Sequence, residues 1–148
     1  MLHADVTEKV IGVFYDVYNE LGHGFIESIY QKAMVIALEA KGIRVQQQVD
    51  VPVWFRQQRL GVFAADLIVE DCVIVELKAV RSIDPAHEAQ LLHYLRATEI
   101  EIGLLLNFGV KPEVKRKIYD NPRKAVRAAL DEKGNKFENL GDIRLENS

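Results

Sequence analysis

A single cysteine, Cys72, stands in 148 residues. No disulfide can close within the chain, and no zinc site can be built on cysteines. Positive charge is not in excess either: 19 Lys and Arg face 22 Asp and Glu, a formal net charge of -3. No global basic field therefore advertises nucleic acid, although a local patch can still act. No apolar run approaches the length that crosses a bilayer. The first residues, MLHADVTEKV, are polar and lack the apolar core of a secretion signal. Internal repeats and low-complexity tracts are missing too. These absences set the expectation of a cytoplasmic protein in a reducing setting, without a membrane partner.

What remains is an ordinary globular mixture, 49% hydrophobic and 28% charged, long enough for one domain with a proper core. Residues 6 to 21 carry Val6, Val10, Val13, Phe14, Val17 and Leu21 at helical spacing. Asp5 and Glu8 predict a capping box at the start, and Gly22 and Gly24 a stop. A second helix is expected from Ile26 to Lys41, ended by Gly42. The period then changes. Val45 to Phe55 reads as a strand, with Pro52 suggesting an edge or a bulge. Leu60 to Val69 and Val73 to Val80 read as two more. Asp84-Pro85 opens a helix that runs to about Arg96. Ile100 to Phe108 is an apolar strand closed by Gly109. The three successive strands can pair as a meander, and the crossover helix lets the last strand lie parallel to a neighbour.

Three charges interrupt the most apolar part of this pattern. In AADLIVEDCVIVELKAV, Asp66 is followed after nine residues by Glu76, Leu77 and Lys78. Buried charge is costly unless it is paired or binds a metal. Glu76 and Lys78 lie two apart, so one strand presents both on one face. Asp66 joins them only if the intervening turn has the right length. A two-residue loop of Glu70 and Asp71 pairs Val69 with Cys72 and sends Glu76 to the opposite face from Asp66. A three-residue loop, Glu70 to Cys72, pairs Val69 with Val73 and sets Asp66 opposite Glu76. Spacing alone leaves a metal pocket and a plain hairpin with solvated charges level.

Further blocks separate the two. Gly24 to Tyr30 reads G-x-x-E-x-x-Y, and Gln90 and Tyr94 form Q-x-x-x-Y on the helix after the lysine strand. With ADLIVED, VIVELKAV, HEAQLLHYLRAT and GLLLNFG in order, the chain resembles the GxxExxY proteins, a branch of the PD-(D/E)XK nucleases, over roughly residues 5 to 118. Ala65 stands where the superfamily has its proline, and His93 where asparagine is expected. The resemblance implies a mixed α/β (α+β) fold with a restriction-endonuclease-like core, a four-stranded mixed sheet flanked by helices in the order ααβββαβ. Residues 1–119 would form this domain. Residues 120–148 would be an extension with a short helix over 122–132 and a polar tail.

The resemblance also implies roles. Asp66 and Glu76, with the Leu77 carbonyl and waters, would bind Mg²⁺, for which Mn²⁺ could substitute. Lys78 would orient or help deprotonate the attacking water and contact the phosphate, with a structural Lys–Glu pair as the alternative. Glu27 would be a third carboxylate, and its alternative is a favourable acid at a helix N-terminus. Gln90 would bond near Lys78 or the phosphate. Tyr94 would buttress the site or stack on a base, or else be core. Tyr30 reads as packing. His87 and His93, six apart, point to different helix faces and do not make a zinc site. Lys115, Arg116 and Lys117, in the basic run from 111 to 127, would contact a phosphate backbone, with solvated surface or an oligomer contact as the alternative. The implied partner is nucleic acid, DNA ahead of RNA, and a homodimer or larger homo-oligomer is expected if both strands are cut.

Overall fold

The computed structural model describes residues 3–120. The expected short helix over 122–132 and the polar tail lie outside the described residues. Helix α1 spans Ala4–Leu21 and α2 Glu27–Ala40; strands β1 (Val45–Phe55), β2 (Gln58–Val69) and β3 (Val73–Lys78) follow, then α3 (Pro85–Arg96), β4 (Ile102–Phe108) and β5 (Pro112–Ile118).

The five strands form one sheet in the order β1-β2-β3-β4-β5. β1, β2 and β3 are an antiparallel meander, and β4 lies parallel to β3. α3 supplies the crossover that a parallel pair needs. It covers one face of the sheet, and α1 and α2 cover the other. On their side Val10, Phe14, Tyr30, Met34 and Leu38 pack on Leu67, Val75, Leu77, Leu104 and Phe108. On the α3 side Leu91 and Leu95 pack on Ile68, Ile74 and Leu105. β4 is buried along its whole length, as expected of a strand covered on both faces. Gly103 in β4 makes the close approach of α3 possible: a Cβ there would lie 2.7 Å from Cδ1 of Leu91. Each large apolar side chain fully buried contributes about 1.5–3 kcal/mol. An exposed pair such as Arg44–Asp71, at 2.9 Å, contributes about 0–1 kcal/mol. The two cores, not ion pairs, hold the sheet.

Four expectations are corrected. The sheet has five strands rather than four, because residues 112–118 form β5, antiparallel to β4. Its lysines and arginine mask the alternation, yet Val114 and Ile118 pack on the α1–α2 core. Charged side chains suit an edge strand, where they oppose pairing with other chains. The run 115–117 is consequently a strand, not a tail. Second, α1 has no Asp5–Glu8 capping box: the helix begins at Ala4 behind a left-handed His3, and Asp5 sits inside the first turn. Third, β3 stops at Lys78 instead of Val80, because the next amides go to side chains. Fourth, β4 begins at Ile102, since Thr98 and Ile100 close a local turn. At α3 the cap matches expectation and gains a partner: Asp84 Oδ1 accepts from Ala86 N–H at 2.8 Å, and His87 Nδ1 accepts from Asp84 N–H at 3.0 Å. His87 is thus a capping residue.

Candidate active site

The site begins at the β2–β3 turn. Val69 pairs with Val73, so Glu70, Asp71 and Cys72 form a three-residue loop. Glu70 and Asp71 adopt left-handed φ of 50° and 55°, and Cys72 N–H closes onto the Val69 carbonyl at 3.0 Å. This register carries Asp66 opposite Glu76. There the two acids take over the pairing themselves. Asp66 N–H donates to Glu76 Oε2 at 3.0 Å, and Leu77 N–H donates to Asp66 Oδ2 at 2.9 Å.

The strands also change face here. Leu67 and Val69 pack under α1 and α2, whereas Phe63 and Ala65, of the same parity, pack under α3. β1 does the same: Val45 faces α1 and α2, Val49 faces α3. The break in β1 falls at Gln48, whose φ is 49°, an uncommon state for a residue with a side chain in mid-strand. Its amide donates to Gln31 Oε1 at 2.7 Å and to Asp66 Oδ1 at 3.4 Å. Gln31 lies one turn after Glu27 on α2. Neither glutamine stands out in the sequence, because Gln46-Gln47-Gln48 reads as ordinary polar strand surface.

Glu76 is only 7% exposed. Burial, then the nearby charge of Asp66, pushes its carboxyl up to about 8; the Asp66 N–H bond and Lys78 oppose this, and Glu27 adds to it. Lys78 is half-buried and, among the described residues, ion-pairs with neither acid. A plain Lys–Glu pair therefore does not account for it. Two acids held together, one of them buried and reluctant to ionise, leave negative charge uncompensated. Their hard oxygens suit an oxygen-preferring divalent cation. The Leu77 side chain is buried in the core, so only its main chain can serve the site.

Beyond Lys78 three side chains hold the emerging backbone. Glu27 Oε2 accepts from Ala79 N–H at 3.3 Å. Asn107 in β4 accepts from Val80 N–H and donates to the Val80 carbonyl, both at 2.9 Å. Glu113 in β5 accepts from Ile83 N–H at 3.0 Å and from Asn107 at 2.9 Å. The G-x-x-E-x-x-Y block gains a physical reading. Gly24 turns at a φ of 115°, which favours glycine. Tyr30 donates its hydroxyl to the Gly22 carbonyl and accepts from Phe25 N–H, while its ring stacks on Phe108 at 4.0 Å. The turn before α2 is pinned, and Glu27 with it.

The other expected residues are placed unevenly. Tyr94 is half-buried against the α3-side core, and its hydroxyl pKa is raised by burial and by the charges of Glu76 and Asp66. Its ring stacks on Phe63 at 3.7 Å. Gln90 is exposed on α3 and, among the described residues, makes no hydrogen bond to Lys78. The basic triplet is split by strand alternation: Lys117 pairs with Glu88 of α3 at 2.8 Å, and Arg116 reaches Thr7 of α1 on the other face at 3.3 Å. Among the described residues no three His, Cys, Asp or Glu side chains converge as a metal cluster. Glu27, bonded to Ala79 N–H, adds to the field at Glu76.

The core is thus a meander, a crossover helix and a strand pair in parallel whose first member carries acid-x-Lys. The sequence matches the family model of the PD-(D/E)XK nuclease superfamily over residues 4–117, and the chain belongs to that superfamily. The crystal structure of SSO0001 has a similar fold, with a TM-score of 0.51 and 19% identity, over 71% of this chain and 56% of that one. This chain therefore spans little more than half of that chain's length. No curated protein matches the sequence. No described helix is long and apolar enough to cross a membrane.

Proposed function

We propose that the protein is a divalent-metal-dependent nuclease of the GxxExxY branch, hydrolysing phosphodiester bonds in DNA ahead of RNA. The observation that carries this reading is the Asp66–Glu76 pair: two carboxylates bound to each other's strand, one buried and pushed up to about 8, with the charge of Lys78 nearby. Asp66, Glu76 and the Leu77 main chain would hold Mg²⁺ or Mn²⁺. When bound, the cation would supply charge stabilisation on the phosphate and acidify a water. Lys78 would orient that water and contact the phosphate. Glu27, through Ala79 N–H, keeps the backbone after Lys78 in place, and its carboxylate adds to the field. Nothing in the described core forms a separate recognition module, so sequence preference is low or supplied by a partner. A single site per chain suits a homodimer where both strands are cut.

The test is cleavage of single- and double-stranded DNA and RNA with Mg²⁺ or Mn²⁺. Glu76→Ala and Lys78→Ala should each abolish turnover while retaining the circular-dichroism spectrum of wild type. Equal cleavage by all three proteins would assign the activity elsewhere. A second reading, a nucleic-acid-binding or homo-oligomeric scaffold with little turnover, draws on one observation: Glu27 is engaged with the Ala79 main chain. Binding without cleavage on every substrate would favour it.

A further inference from the structure

Between the β1–β2 arm and α3 lies a cavity of about 330 Å³, lined among others by Leu60, Val62, Phe63, His93, Tyr94 and Ala97. Its volume is near the lower end of small-molecule pockets, about 300–1,000 Å³, the scale of one planar ring system rather than a duplex. We propose that this cavity is a nucleobase subsite, which receives one unstacked base of the substrate strand beside the Asp66–Glu76 pair. The inference rests on the nuclease reading and narrows its substrate to single-stranded or locally unpaired nucleic acid.

Four observations carry it. The cavity lies on the sheet face of the acid pair: Tyr94 lines it and packs on the α3-side core with Ala65, the neighbour of Asp66, and Ile74, two residues before Glu76 in β3. Its wall is aromatic and apolar, built on the parallel Phe63–Tyr94 stack at 3.7 Å and 2°. Every base has a π-face, so such a wall holds bases without demanding a sequence. Leu60 and Val62 remain 59% and 50% exposed at the rim, apolar surface that a ring would cover. His93, exposed on α3, gives the wall a group that can donate to or accept from a base edge. The change of face at Gln48 and Asp66 is what makes the cavity: without it Phe63 would point away from α3. A duplex would have to extrude a base to use this site, whereas a single strand offers one freely.

The experiment uses the Lys78→Ala protein, so that nothing is cut, and compares two fluorescent oligonucleotides of equal length and phosphate number, one with bases and one with an abasic tract. The base-bearing strand should bind about tenfold more tightly at fixed salt, the scale of one base–aromatic contact. Adding Gly61→Leu should bring the ratio close to one. Gly61 lines the cavity and a Cβ there meets nothing within 4 Å, so the backbone tolerates the change. His93→Ala, at an exposed position, should lower the ratio several-fold and serves if the leucine variant does not fold. No preference for bases in the Lys78→Ala protein, or a preference that survives both changes, overturns the proposal. So does a Gly61→Leu effect confined to oligomeric state in sedimentation, which would make the surface a contact between copies. Base preference without metal-dependent cleavage by wild type would sink the nuclease reading and leave the subsite standing. Cleavage that depends on Glu76 and Lys78, without base preference, would do the reverse.

Discussion

Glu76 takes its character from three neighbours: the strand that buries it, the acid across from it and the lysine two residues on. Its ordinary value is 4.5, and in the fold it reaches about 8. Between those values the unfolded chain has released the proton and the folded chain keeps it, so raising the pH opposes folding. The stabilising contribution is complete below about 4.5 and is lost as the pH passes through about 8. We expect the unfolding free energy in chelator to fall across that window, with a slope of up to about 1.4 kcal/mol per pH unit. Glu76→Gln should remove most of the slope, as read by urea denaturation at a series of pH values. A wild-type stability that rises through the same window would contradict the buried acid. Gln48 makes the second prediction at this scale. Its left-handed backbone costs on the order of 1–3 kcal/mol. Gln48→Gly should therefore raise Tm, while removing the amide that reaches Asp66 and lowering turnover. A lower Tm would mean that the Gln31–Gln48 bond outweighs the strain.

Among the elements, α2 and β5 shape the site most without supplying the acid pair. α2 is positioned at its first turn, where Tyr30 ties the Gly22–Phe25 loop and Glu27 reaches Ala79. Tyr30→Phe keeps the ring on Phe108 and removes the hydroxyl. It should cost about 0.5–1.5 kcal/mol and reduce turnover further than stability, because Glu27 loses its placement. Unchanged turnover at equal stability loss would limit Tyr30 to packing. β5 closes the sheet beside β4, and its alternation sends Lys115 and Lys117 to one face and Arg116 to the other. One nucleic-acid strand cannot track all three. If the α3 face carries the substrate, Lys115→Gln should lower the slope of log K against log salt by about 0.7 on a single strand, whereas Arg116→Gln should move Tm and leave the slope. The same slope loss from both would mean that the triplet acts as one patch.

For the molecule as a whole, metal is the natural probe. An ion that binds only the folded chain stabilises it by mass action. Mn²⁺ or Mg²⁺ should raise the Tm of wild type, and Asp66→Asn or Glu76→Gln should respond much less. In chelator at a pH above about 8, where Glu76 too is ionised, those two variants should melt at or above wild type, since each relieves repulsion between acids. A structural hydrogen-bonded pair would behave in the opposite way: both variants would be destabilised and metal would do nothing. The family places the fold among nucleases, and this pair of melts reads the acid pair itself, independent of any substrate.

Helix spacing in residues 6 to 21, the Asp84-Pro85 opening and the alternation around Asp66 and Glu76 are local signals. They reach over a few residues, so the sequence alone determined the order of α1 to β4 and stated what the turn had to be for Asp66 to meet Glu76. The three-residue loop from Glu70 to Cys72 then took the register the acids require. β5 escaped because an edge strand owes its existence to its partner, and three basic residues in succession conceal the apolar face that packs on the α1–α2 core. Glu27 and Ala79 are 52 positions apart, and Asn107 and Val80 are 27 apart. No periodicity connects such distances. Only the tertiary structure could bring those side chains to the amides after Lys78, turn the strands over at Gln48, or bury Glu76 deeply enough to hold its proton, because each depends on what the rest of the chain packs around it.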